Sequence, residues 1–99
     1  MNEAPLPTMA TILLVEEDAA FRALVGDHLR ARGHRLLETS SLLGARQILG
    51  SEALDFALIG AALLDGSGVD LVRALRATRS KLAVGILSKR LADIPHPEQ

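Results

Sequence analysis

DFALIGAALLDGSGVDLVRALR, residues 55–76, sets the frame for the whole chain. Its opening run, FALI at 56–59, is continuously apolar, as a strand buried on both faces of a parallel sheet is. Gly60 ends that run. The loop that follows, Leu63-Leu64-Asp65-Gly66-Ser67-Gly68, is rich in glycine but lacks the spacing of a phosphate-binding P-loop. A turn and a capped helix account for it. Ser67 stands where a helix N-cap belongs, Leu71, Val72 and Leu75 recur at helical spacing, and Arg73 and Arg76 fall on the opposite face.

The same grammar repeats on either side. Residues 11–15, TILLV, form another continuous apolar run. Asp18 is placed to cap a helix whose Phe21, Leu24, Val25, His28 and Leu29 recur at helical spacing, which puts His28 on the inner side. Gly33 suits the position just past its end. A short strand over 34–38 leads to Thr39, Ser40 and Ser41, each a candidate cap for a helix with Leu42, Ala45, Ile48 and Leu49 inward, closed by Gly50. A fourth strand spans 82–87. Strands alternating with helices predict an α/β fold, a doubly wound parallel sheet. Right-handed crossovers favour the flavodoxin-like order 2-1-3-4, about four strands and three helices, with the site at the carboxyl ends of strands one and three. Glu16, Glu17 and Gly60 fall there.

Composition narrows the classes. The chain has 99 residues, enough for one domain, and 48% are apolar, but Phe21 and Phe56 are its only aromatic residues. The core must therefore be aliphatic. A net charge of −1 speaks against non-specific nucleic-acid binding, and the absence of cysteine excludes disulfides and thiolate metal sites. No apolar run reaches the roughly 18 residues of a membrane span. Residues 1–8, MNEAPLPT, lack the regions of a signal peptide, so a cytoplasmic protein is expected. Residues 1–10 read as a flexible leader with Met9 a candidate start, 11–90 as the domain, and 91–99 as a tail.

Residues 55–76 resemble, without a gap, the third strand, loop and third helix of response-regulator receiver (CheY-like) domains, and the likeness runs from about Thr11 to Ser88. The resemblance implies a strand ending in an aspartate that accepts a phosphoryl group from a histidine kinase. Gly60 stands at that position and cannot form an acyl phosphate. It implies further an acidic pair after strand one holding magnesium, a hydroxyl after strand four and a lysine after strand five. ILLVEED, residues 12–18, matches the first strand and places Glu16 and Glu17 in the pair, the second usually aspartate. Ser88 matches the hydroxyl. The lysine has no counterpart, since Lys89 adjoins Ser88 and is not expected to point into the same site. The chain thus resembles a degenerate, C-terminally shortened pseudo-receiver.

Each surviving position also has a structural role open to it. Glu16, Glu17 and Asp18 suit a helix N-terminus by capping and dipole, beside weak magnesium binding at Glu16 and Glu17; no other cofactor is expected. Ser88 suits a bond to nearby backbone. Arg73, Arg76, Arg79 and Lys81 read as a solvated face or as a docking patch for an acidic partner. No Ser-His-Asp arrangement emerges, so no enzyme is expected.

Three functions follow. The first is a phosphorylation-independent signalling module of two-component type that binds a protein, such as a sensor kinase or another regulator. The second is a structural or oligomerisation remnant of a longer regulator. The third, a true phosphoacceptor, would need Asp65 and a rebuilt loop. The fourth strand is apolar on both sides, which predicts a homodimer covering it through Leu82, Val84, Ile86 and Leu87, with Leu91 and Ile94 helping.

Overall fold

The computed structural model describes residues 9–88. They form β1 (Thr11–Val15), α1 (Ala19–Ala31), β2 (Arg35–Thr39), α2 (Leu42–Ser51), β3 (Phe56–Gly60), the two-residue strands β4 (Ala62–Leu63) and β5 (Gly66–Ser67), α3 (Gly68–Thr78) and β6 (Ala83–Leu87). The main sheet is parallel and ordered β2-β1-β3-β6, the expected 2-1-3-4 winding. Residues 1–8 of the expected leader, Lys89 and Arg90 at the end of the expected domain, and the tail with Leu91 and Ile94 lie outside the described residues, whereas Ala10, expected in the leader, is buried and bonded to His34 and Arg35.

The aliphatic core divides by sheet face. Leu13 and Val15 of β1 and Ala57 and Ile59 of β3 point to α2 and α3, where Leu42, Ala45, Leu49, Leu71, Val72 and Leu75 close over them. Leu13, Val15, Ala57 and Ile59 are fully buried. Leu82, Val84 and Ile86 pack on this cluster and are partly covered by it. By strand alternation Leu87 lies on the opposite face with Leu58 and Phe56.

Local chemistry sets the helix ends. Asp18 Oδ1 accepts from Phe21 N at 3.0 Å, Ser41 Oγ from Gly44 N at 3.0 Å and Ser67 Oγ from Asp70 N at 3.2 Å, so Ser41 is the cap among its three candidates. Gly33 ends α1 with φ 90°, and its N–H donates to the Arg30 carbonyl at 2.9 Å, a turn that favours glycine.

Three details differ from the sequence reading. Gly50 does not close α2, which runs on through Ser51 to a cap at Glu52. The 61–68 loop contains the small antiparallel β4–β5 ladder. Leu24 and His28 are exposed, because α1 meets the sheet through buried Gly26 and half-buried Val25 and Leu29. A Cβ at Gly26 would lie 3.3 Å from Leu36 Cδ1, so the glycine allows the close approach. Helical spacing alone cannot tell which of two adjacent stripes turns inward. Arg22 and Arg30 both reach Glu38 on β2, holding the polar stripe against the sheet edge.

Candidate functional site

The carboxyl ends of the strands bring the expected residues together. Val15 pairs with Ile59 and Gly60 with Leu87, so Glu16, Gly60 and Ser88 sit at one end of adjacent strands. What fills the centre is Glu16. A Cβ built on Gly60 would lie 2.9 Å from Glu16 Oε1, 3.2 Å from the Val15 carbonyl oxygen and 3.3 Å from Leu63 Cδ2. The glutamate has folded over the glycine into the space a side chain there would use.

Glu16 is buried, at 5% exposure, and three of its polar atoms are bonded. Oε2 accepts from Asp18 N at 3.0 Å, the backbone N–H donates to the Thr39 carbonyl at 3.1 Å, and the carbonyl accepts from Arg22 Nη1 at 2.6 Å. Arg22 then spans to Glu38 at 3.7 Å. A buried carboxylate is tolerable only when bonded in this way. Glu17, the second of the acidic pair, is exposed.

These donors do not fit a magnesium site. Magnesium requires near-octahedral oxygen ligands and sheds water reluctantly. One Glu16 oxygen is committed to a backbone amide, and Gly60 contributes no carboxylate. Among the described residues no group of three or more Asp, Glu, His or Cys side chains is arranged to hold a metal ion. Ser88 is half-buried just beyond β6.

Two structural contacts were invisible in the sequence. Asp65 reaches from the β4–β5 turn to the start of α2, its Oδ1 accepting from Leu42 N at 2.9 Å and its Oδ2 from Leu43 N at 3.1 Å. The Leu42 bond, then the Leu43 bond, holds its carboxyl below the ordinary value of 3.8. A lowered carboxyl pKa stabilises the fold above the ordinary value and is lost only as the pH falls through the lower one. Asp65→Ala is therefore expected to speed amide hydrogen exchange at Leu42 and Leu43, while Gly44, bonded to Ser41, stays protected. In the native protein that protection should survive at pH 5. Equal exchange in variant and native protein would deny the clamp.

The second contact concerns the basic stretch. Arg76 Nη2 donates to the Val84 carbonyl and Arg79 Nη2 to the Leu49 carbonyl, both at 3.1 Å, and Arg73 lies 3.7 Å from Asp70. Much of that charge is thus spoken for within the domain. Leu87 O accepts from Ala61 N, so alternate residues of β6 point their backbone groups outward, and Arg76 covers one such carbonyl at Val84.

A parallel 2-1-3-4 sheet flanked by three helices, with its acidic end built around β1 and β3, matches solved response regulators. MaeR bound to beryllium trifluoride is similar at TM-score 0.76 and 25% identity over 83% of this chain and 69% of that one. TrrA from Thermotoga maritima, in complex with magnesium and beryllium fluoride, gives 0.79 at 18% identity over 85% and 73%. A receiver domain from Methylobacillus flagellatus gives 0.77 at 23% identity over 89% and 76%. This is a receiver fold. No family model matches the sequence. The photosynthetic apparatus regulatory protein RegA of Rhodobacter capsulatus is 28% identical over 85 residues, 86% of this chain. The match spans 46% of RegA, so the chain covers about half the length of that relative. Within this fold a glutamate lies over a glycine at the end of β3.

Proposed function

We propose that this receiver acts in two-component signalling as a phosphorylation-independent module, binding a protein partner such as a sensor kinase or another regulator. The observation that carries this is the buried Glu16 carboxylate seated over Gly60. An acyl phosphate needs a carboxylate where the chain has only a hydrogen atom, and the space beside it already holds a negative charge. Phosphoryl transfer needs stabilisation of the developing negative charge. A carboxylate in that place opposes it. Helix and loop faces stay available for docking, which does not depend on the lost chemistry. Similarity to response regulators and to a regulatory protein supports a signalling role, and we place the protein in the cytoplasm.

Incubation with acetyl phosphate and magnesium, followed by intact mass, tests the reading. No gain in mass is expected under conditions that label ordinary receivers. A phosphoryl adduct on any aspartate, Asp65 included, would overturn it.

A homodimer is a further part of this proposal. Among the described residues β6 has a strand neighbour on one side only, and Leu58 and Leu87 remain partly exposed on the α1 side of the sheet toward its carboxyl end. A second copy covering β6 and this face would remove both from water. Because Leu82, Val84 and Ile86 already lean on the core, Leu87 is the dimer-contact residue with most to gain. Light scattering at low micromolar concentration should return twice the monomer mass, and a monomer there would end this part of the proposal.

A further inference from the structure

The end of the sheet remote from Gly60 contains a cavity of about 350 Å³ with a nearly wholly apolar wall. Its floor is one row across three strands: Ile12 of β1 pairs with Phe56 of β3, and Phe56 pairs with Ala83 of β6. Leu29, from the last turns of α1, closes it from above. The space exists because the row ends in a small residue. The Phe56 ring lies toward Gly85, where an added Cβ would meet its edge at 3.6 Å, and Ala83 is left uncovered.

The polar groups at the mouth are few and balanced. His34 Nδ1 accepts from Ala10 N at 3.0 Å, so Nε2 is the ring nitrogen that this bond leaves free. Asp55 Oδ2 accepts from Thr11 N at 2.8 Å, leaving Oδ1. The Arg32 side chain makes no hydrogen bond or ion pair among the described residues, although it lines the same mouth as Asp55. The carbonyls of α1's end are already used, Leu29 O by the Arg32 and His34 amides and Arg30 O by Gly33. A ligand therefore meets an apolar chamber with one cation, one anion and one imidazole at its rim.

We propose that this cavity binds a neutral amphiphile: an aliphatic or aromatic body with one terminal hydroxyl or amide. The body takes the place of water against Ile12, Leu29 and Phe56. The terminal group both donates and accepts, which suits Asp55 Oδ1 together with Arg32 or His34 Nε2. A charged head fits less well, because the rim carries one cation and one anion and so no net charge to hold it, and it must shed water at an apolar mouth. A chamber of this size lies within the range of small-molecule pockets. The site is separate from the degenerate one and does not rest on the signalling assignment.

Titration of the full chain with n-alkanols from butanol to octanol, followed by methyl and amide NMR, tests this. Saturable shifts are expected at Ile12, Leu29 and Phe56, with affinity rising about fourfold per added methylene until the chamber is full. Octanoate and octylammonium should each bind several-fold more weakly than octanol. Ala83→Leu, at an exposed strand position, fills the chamber from the floor and should abolish the shifts while the native spectrum elsewhere persists. The proposal fails if shifts do not saturate or do not centre on those residues. It fails equally if either ion binds as tightly as octanol, or if Ala83→Leu binds undiminished.

Discussion

Gly68→Ala is expected to unfold the domain or bring its urea midpoint close to zero, whereas Gly50→Ala should raise that midpoint. A Cβ at Gly68 would overlap the Gly60 carbonyl oxygen outright, sit 2.8 Å from the Gly60 carbonyl carbon and lie 3.1 Å from Ile59 Cγ2. The first two are backbone atoms of a central strand, so no side chain can swing aside. Relief requires moving β3 or lifting the first turn of α3, whose Gly68 N–H donates to the Ala61 carbonyl at 3.0 Å. Overpacking in ordinary cores costs about 1–3 kcal/mol, and a collision with backbone belongs at or above the top of that range. Domains are stable by only about 0.05–0.15 kcal/mol per residue, so the loss consumes much of the total. Gly50 is the counter-test. Nothing lies within 4 Å of its built Cβ, and it sits inside α2, where alanine is favoured over glycine by about 1 kcal/mol. Chemical denaturation of the two variants should move in opposite directions. An unchanged midpoint for Gly68→Ala would mean that the helix does not press on the strand end.

Gly68 also marks the boundary of what the sequence discloses. The continuous apolar runs and their caps were readable because each depends on neighbours a few residues away: Asp18 with Phe21, Ser67 with Asp70, Gly33 at the end of α1. Strand order was readable because handedness leaves few windings. The approach of Gly68 to Gly60 and the reach of Asp65 to Leu42 were not, since both depend on where the loop places residues after the sheet has formed. The site was half legible. That Gly60 removes a carboxylate follows from its identity. That Glu16 turns into the vacated space does not, because a glutamate after a strand can equally face water, as Glu17 does.

Gly60→Asp should therefore destabilise the protein at neutral pH, by a few kcal/mol, and confer a response to magnesium that the native chain lacks. The new Cβ would begin 2.9 Å from Glu16 Oε1, so the glutamate has to swing away. Leaving breaks its bond from Asp18 N, and a hydrogen bond to a charged group contributes about 1.5–3 kcal/mol. Staying close places two carboxylates together, and like charges 4 Å apart repel by about 4 kcal/mol near a protein surface at an effective dielectric of 20. Repulsion raises the pKa of the pair, so the penalty is present above that raised value and is relieved as the pH falls through it. Magnesium relieves it differently. With Glu16, Glu17 and the introduced carboxylate at one strand end, a hard cation finds three oxygen donors, and its binding stabilises the folded state by mass action. Urea midpoints with and without millimolar magnesium should separate for the variant and coincide for the native protein. Phosphorylation should lag behind metal binding, because the transferring phosphoryl group needs further positive charge. Among the described residues the one lysine, Lys81, precedes β6 at the other end of the sheet. A variant as stable as the native protein and indifferent to magnesium would show that Glu16 does not occupy the strand end. Phosphorylation of the variant at the rate of an ordinary receiver would show that the end of β3 is all this fold has lost.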